Sequence, residues 1–290
     1  MKARSTKDGN DGGEHGSPET LETPDGGAWA EEALLHEALV EPRRAFIPAA
    51  DTEVIERPGW QQLITPSLRT GGLNEVTFCA ADEGEIDELI DAAMARYAAH
   101  RIHFRWSVPP GSRPADLVDR LLRRGFTAST VHAMVGTTAG ASARAERVPI
   151  EAVTSATADE FTHTLAKGWG LEPEGLADYT HRTLSAPEQA CRLFLARPNP
   201  GKPAAGCAGM FLFERSVYLL GAVVLPEHRG QGIYRALVTE RQRVAASLGV
   251  ELATSHARES TSAPILARLG FRTLCRFPMM SWSPDGEGAP

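Results

Sequence analysis

Apolar and polar positions along the chain repeat with two periods, one that suits helices and one that suits strands. In the first half, Glu31–Leu39 fits a helix, Glu53–Ile64 and Glu75–Ala80 fit strands, and Glu85–Ala99 fits a helix. Ile102–Val108 then reads as a strand, Ala115–Arg124 as a helix and Val131–Val135 as a closing strand. Residues 137–147 lack apolar periodicity and read as a linker. Beyond them come a strand at Val148–Val153, helices at Ala158–Lys167 and Glu174–Leu184, and antiparallel strands at Cys191–Ala196 and Ala208–Phe213. A buried strand from Val217 leads into a further helix, with Ile233, Leu237, Val244 and Leu248 on one side and Gly249 as its stop. Val250–Ser255, Ser262–Phe271 and Thr273–Trp282 complete a strand, helix, strand ending.

One short pattern occurs twice. Leu121-Leu122-Arg123-Arg124-Gly125-Phe126 recurs as Leu266-Ala267-Arg268-Leu269-Gly270-Phe271, with the Gly-Phe pairs 145 residues apart and an apolar strand containing methionine after each. So long a period predicts two copies of a domain, not a solenoid.

The chemistry concentrates between Val217 and Arg235. A buried strand there delivers the chain to Pro226-Glu227-His228-Arg229-Gly230-Gln231-Gly232, and an amphipathic helix follows. The absence of side chains at Gly230 and Gly232 lets backbone N–H groups approach an anion. The helix adds the positive end of its dipole and its unsatisfied first-turn donors, and Arg229 and Arg235 can add charge-assisted hydrogen bonds. No Gly-Lys-Ser/Thr ending is present for a P-loop, and the glycine spacing is not that of a dinucleotide fingerprint.

This stretch resembles motif A of the GCN5-related N-acetyltransferase family, Gln/Arg-x-x-Gly-x-Gly/Ala, in the form Arg229-Gly230-Gln231-Gly232-Ile233-Tyr234, with Tyr234 at a position the family fills with a small residue. The Leu-Gly-Phe close at Leu269–Phe271 is similar to the end of the family's last helix. The resemblance implies an α/β fold with a mixed sheet, built here as two tandem acyl-CoA N-acyltransferase-like domains. The divisions expected are a disordered tail at 1–28, a degenerate domain at 29–136, the linker at 137–147 and an active domain at 148–284. It also implies acetyl-CoA as cosubstrate, held by Val223, Val224 and Leu225 at the strand end and by residues Arg229, Gly230, Gln231, Gly232, Ile233, Tyr234 and Arg235 of the turn. The matching place in the first half, Ala80–Glu88, carries Asp82, Glu83, Glu85, Asp87 and Glu88, which would repel a pyrophosphate. That half is expected to bind no coenzyme A.

Composition narrows the setting. The chain has 42% hydrophobic and 23% charged residues, as ordinary globular proteins do, and contains no apolar run long enough to span a membrane. A net charge of -7 argues against nucleic acid as a partner and favours a cationic acceptor. The first 28 residues hold six acidic and three basic side chains among many glycines, and lack the apolar core of a signal peptide, which favours the cytoplasm. Cys79, Cys191, Cys207 and Cys275 form no CxxC pair, so no metal or redox centre is expected and each reads as a small buried hydrophobe.

By the resemblance, the reaction is direct acetyl transfer from a thioester to the amine of a small molecule or a peptide N-terminus, which needs a base, oxyanion donors and an acid for the thiolate. His256, placed just after the strand Val250–Ser255, is the first candidate base, with Glu259 and Tyr218 as others; Glu259 equally suits a cap for the helix at Ser262. Trp169, Glu172, Tyr179 and His181 are candidates for touching the acceptor. Leu266 stands where many members carry the tyrosine acid, which leaves open a non-catalytic acetyl-CoA sensor as the alternative.

Overall fold

The computed structural model describes residue 21 and residues 29–69, 72–139, 148–186 and 190–286. In chain order the first half contains α1 (Glu31–Leu39), β1 (Glu53–Arg57), β2 (Trp60–Ile64), β3 (Glu75–Cys79), α2 (Ile86–Ala99), β4 (Phe104–Ser107), α3 (Leu117–Arg123) and β5 (Thr127–Thr137). The second half contains β6 (Ile150–Ala152), α4 (Ala158–Trp169), α5 (Pro173–Ser185), β7 (Cys191–Ala196), β8 (Gly206–Leu212), β9 (Ser216–Val224), α6 (Ile233–Ser247), β10 (Leu252–Arg258), α7 (Ser262–Arg268) and β11 (Arg272–Trp282). Leu21 apart, the expected tail lies outside the described residues, as does the linker from 140 onward.

Among the described residues, eleven strands form one mixed sheet in the order β1-β2-β3-β4-β11-β5-β10-β9-β8-β7-β6. The last strand of each half is built into the other. β11 lies between β4 and β5, antiparallel to both, while β5 lies between β11 and β10. Val131 opposes Phe277 and His132 opposes Arg276 near the centre of the β5–β11 ladder. On either side of this pair sits a parallel couple joined through a helix: β3 and β4 through α2, β9 and β10 through α6. A boundary between residues 136 and 148 therefore divides the sequence but not the sheet.

Three expected elements differ in detail. The stretch Glu53–Ile64 is a hairpin, because Pro58 removes a ladder donor and Gly59 turns the chain at φ +75°. β10 runs on to Arg258, so His256 lies inside a strand and not after it. Leu248 is 46% exposed: α6 ends at Ser247, and Leu248 is the residue on which the chain turns away from the buried face.

The two faces of the central strands bury different partners. Ala253 and Ala257 of β10 join Val217 and Leu219 of β9 under Ile233, Ala236 and Leu237 of α6. On the opposite face, Leu252 packs with Val131, Val135 and Phe277 beneath Leu34 and Ala38 of α1. This alternation is the period-two pattern of strands buried on both sides. No helix among the described residues is long and apolar enough to cross a membrane.

Phe277 is 2% exposed at the seam where both halves contribute strands. Phe277→Ala is expected to cost about 3–5 kcal/mol in urea unfolding. Because the sheet is shared, near-ultraviolet circular dichroism and backbone circular dichroism should report one common transition at a lowered midpoint.

Candidate active site

The site is organised by the parting of β9 from β10. The two strands pair only from Ser216↔Leu252 to Tyr218↔Thr254 and then separate. At the point of parting, the buried Ser255 hydroxyl donates to the Leu219 carbonyl at 3.0 Å, taking the place of a ladder bond. β9 is bulged against β8 just beyond, where Cys207 opposes Val223 but Gly209 opposes Leu220, and Gly221 takes φ +60°.

Sequence reasoning missed the residue that holds this bulge. Arg241 of α6 is 1% exposed, donates from Nε to the Leu237 carbonyl, and sends one terminal nitrogen to Gly209 oxygen at 2.9 Å and Leu220 oxygen at 3.3 Å. The guanidinium thus ties both strands at the irregularity, and burial pulls its pKa down to about 10. The signal was an arginine at an inward position of an amphipathic helix, which resembles any surface arginine until the bulge is known.

The turn after β9 is open. Pro226–His228 make one 3-10 turn, Arg229 is extended, and Gly230 (φ +76°) and Gly232 (φ +79°) adopt the left-handed conformation that glycine tolerates. A side chain built at Gly230 would meet nothing within 4 Å, and at Gly232 only an Arg235 nitrogen at 3.9 Å. Arg229, Gly230, Gln231, Gly232 and Arg235 are exposed, whereas Ile233 is buried under the sheet. Ile233 and Tyr234 begin α6 ahead of its first intrahelical bond, Ala236 N–H to Gly232 oxygen, so their N–H groups lie in the first turn, where helix donors are not taken up by the helix itself. Tyr234 packs its ring onto the core beside α6, so the bulky side chain leaves the turn clear.

The three strand-end positions divide. Leu225 donates its N–H to Ala205 at 2.9 Å, so by the alternation of an antiparallel ladder Val223 spends its backbone groups on β8 and Val224 turns its own toward the gap. Val223 serves packing instead: a Cβ on Gly168 of α4 would lie 2.1 Å from Val223 Cγ1, so only glycine lets α4 cross the bulge. Lys167 beside it pairs with Glu227 at 2.6 Å, which fastens α4 to the turn.

Of the candidate catalytic residues, the structure brings together Tyr218 and His256. Their rings meet edge to face at 5.3 Å. Burial raises the phenol pKa above its ordinary value. His256 donates from Nε2 to the Ala38 carbonyl at 2.8 Å, and burial lowers its pKa below 6.5, so its imidazole is neutral near pH 7. Glu259 stands elsewhere, 3.2 Å from His132 and 3.9 Å from Arg276, and it does not cap α7.

The acceptor candidates scatter because helical spacing alone does not say which face meets the gap. Trp169 does lie there, 5.3 Å beneath the Arg258 guanidinium. Glu172 instead lines a cleft of about 600 Å³ with Arg69 and Arg101, and His181 pairs with Asp159 on the surface at 3.6 Å. Tyr179 packs with Leu63 and Leu68, and its backbone carbonyl accepts from the Thr183 hydroxyl at 2.8 Å. Leu266 is 1% exposed in the core, so the tyrosine-acid position offers no proton. Among the described residues, no group of three metal-ligating side chains is present.

Two outcomes follow from this geometry. Arg241→Met leaves the bulge carbonyls without donors and should cost about 2–4 kcal/mol, measured as a lower urea midpoint. The His256 pKa is lower folded than unfolded, so its contribution to stability is full above about pH 6.5 and is lost as pH falls below that value. Wild-type midpoints measured from pH 8 to 5 should therefore drop more steeply than those of His256→Gln.

Comparison with known proteins adds the context. Residues 151–271 match the family model described as Acetyltransferase (GNAT) family. No curated protein matches the chain. Among solved structures, a functionally unknown conserved protein from Staphylococcus epidermidis ATCC 12228 is similar with a TM-score of 0.61 and 15% identity, covering 82% of this chain and 96% of that one. A GCN5-related N-acetyltransferase from Kribbella flavida gives 0.58 and 15%, covering 87% and 95%. Another from Sphaerobacter thermophilus gives 0.53 and 16%, covering 80% and 76%. At these identities the likeness is one of fold, and it extends over most of the chain, well outside residues 151–271.

Proposed function

We propose that the protein transfers an acetyl group from acetyl-CoA to an amine, using the second half of the chain. The observation that carries this reading is the open glycine turn at the start of α6 directly beside the gap between β9 and β10. The free volume at Gly230 and Gly232 suits a pyrophosphate, which Arg229, Gln231 and the first N–H groups of α6 would hold. Acetyl-CoA supplies an activated acyl group as its thioester. The Val224 backbone faces the gap where that group would lie, and hydrogen bonds from such groups stabilise charge developing on a carbonyl oxygen.

His256 is the base in this reading. With Nε2–H fixed on Ala38, the lone pair resides on Nδ1, and the lowered pKa keeps it available at neutral pH. The phenol of Tyr218 is held protonated beside it by burial and serves as the proton donor in this reading, in a site where Leu266 offers none. The first half is a copy without a cofactor site. Its counterpart of the turn is filled from within: Ala80 N–H donates to Gly59 oxygen at 2.6 Å, and Arg120 and Arg124 of α3 hold Asp87 at 2.5 and 3.0 Å. A cytoplasmic setting, where acetyl-CoA is made and used, agrees with this reading. The buried Leu266 also supports a second reading, a sensor that binds acetyl-CoA without turnover.

Calorimetric titration should give one acetyl-CoA per chain, and Gly232→Glu should abolish it by placing a like charge in the phosphate volume. Coenzyme A release with pooled amines separates an enzyme from a sensor. A second equivalent site, or undiminished binding by Gly232→Glu, would count against the assignment.

A further inference from the structure

The stretch between α1 and β1 crosses the sheet face that carries Tyr218 and His256. The end of α1 is attached to β10 where His256 donates to Ala38, and the stretch that follows is attached to β3 where the Arg43 guanidinium lies 3.9 Å over the Phe78 ring. Ala45 and Ile47 between α1 and β1 pack against the cluster that includes Trp169, Tyr218 and Leu220. A chain segment from the first half thus walls the sheet face beside the candidate base.

Arg43 is the unusual member of that wall. Its neighbour Arg44 pairs with Glu41, Arg105 pairs with Glu75 at 2.7 Å, and Arg241 is satisfied by carbonyls. Arg43, by contrast, makes no side-chain hydrogen bond or ion pair among the described residues, and its Nε is buried without an acceptor. Burial lowers its pKa, yet a guanidinium remains charged at any physiological pH. A partly desolvated cation with no counter-charge is unfavourable by itself. Burial is the main reason the His256 pKa is lowered; among the charges that reach it, Glu75 favours protonation while Arg105 and Arg43 oppose it. On the same face of β10, Thr254 is fully buried and its hydroxyl also lacks a partner.

We propose that Arg43 anchors the carboxylate of the acceptor, so that the substrate is an amine that also bears a carboxyl group, bound beside the segment from Arg43 to Ile47 on the sheet face that carries Tyr218 and His256. This assignment rests on the acetyl-transfer reading and names the substrate class for that same site. A carboxylate offers two oxygens to the planar donors of a guanidinium, with the geometry of a charge-assisted pair. The phosphates of acetyl-CoA are held separately, at the turn before α6, which starts on the other face of β9 and β10.

The test uses the full chain with acetyl-CoA and a panel of amino acids, each paired with its C-terminal amide. Coenzyme A release should favour the free acids at least tenfold in kcat/KM. Arg43→Gln should bring that ratio to within twofold of unity, mainly through KM, and Arg43→Lys should restore part of it, with the acetyl-CoA Kd within twofold of wild type throughout. In parallel, the Arg43 Nε–H resonance, identified by its loss in Arg43→Gln, should move on addition of the acids and not of the amides. Equal use of acids and amides, a preference that survives in Arg43→Gln, a tenfold loss of acetyl-CoA affinity, or an unmoved resonance would each overturn the anchor. Release with no amine, combined with a resonance that still moves with the acids, would uphold the anchor and overturn acetyl transfer instead.

Discussion

The pairing of β5 with β11 is the constraint on which the rest of the molecule depends. Each strand is the closing element of its own half, and each completes the sheet of the other half. Without β11, both β4 and β5 would present unpaired edges, and without β5 the parallel couple β9–β10 would lose its flank. The gap between β9 and β10 can open at one end because β10 is held along its length by β5, from Leu252 to Arg258. A strand donated by the first half therefore sets the position of His256 in the second.

The two halves also show how one connection can be left open or filled. Both run strand, turn, helix, parallel strand. In the second half two left-handed glycines leave the turn empty in front of a helix that starts with no acid in its first turn. In the first, the helix starts with Asp87 and Glu88, the dipole is satisfied by its own chain, and two arginines from α3 balance the charge. The difference lies in side chains and turn residues, not in topology.

Much of this was legible in the sequence. Amphipathic spacing located the helices, and Cys191–Ala196 matched a strand to the residue, because local patterning is strong where one or both faces are buried. The open turn was readable because Gly230 and Gly232 carry a backbone requirement. The exchange of β5 and β11 was not, since strand order depends on contacts between residues far apart in the chain. Arg241 and Arg43 were hidden for a related reason: nothing local marks an arginine that will be buried against a bulge or beneath a crossing segment. Helical spacing on α4 and α5 was silent in the same way about which face each acceptor candidate takes: Tyr179 packs with Leu63 and Leu68, and Trp169 lies under the Arg258 guanidinium.

The position of β11 also bears on the order in which the molecule can be made. A ribosome releases β4 and β5 long before β11, so the first half must wait with its central place vacant while the whole second half is synthesised. Early folding is restricted to local pieces, such as the β1–β2 hairpin and the α2 crossover, and the long-range closure comes last. During that interval the exposed edges of β4 and β5 are the surfaces most open to pairing with another nascent chain. Arg105 on β4 and the hydroxyl residues Thr127, Ser129 and Thr130 on β5 give those waiting edges a polar character that a fully apolar strand would lack.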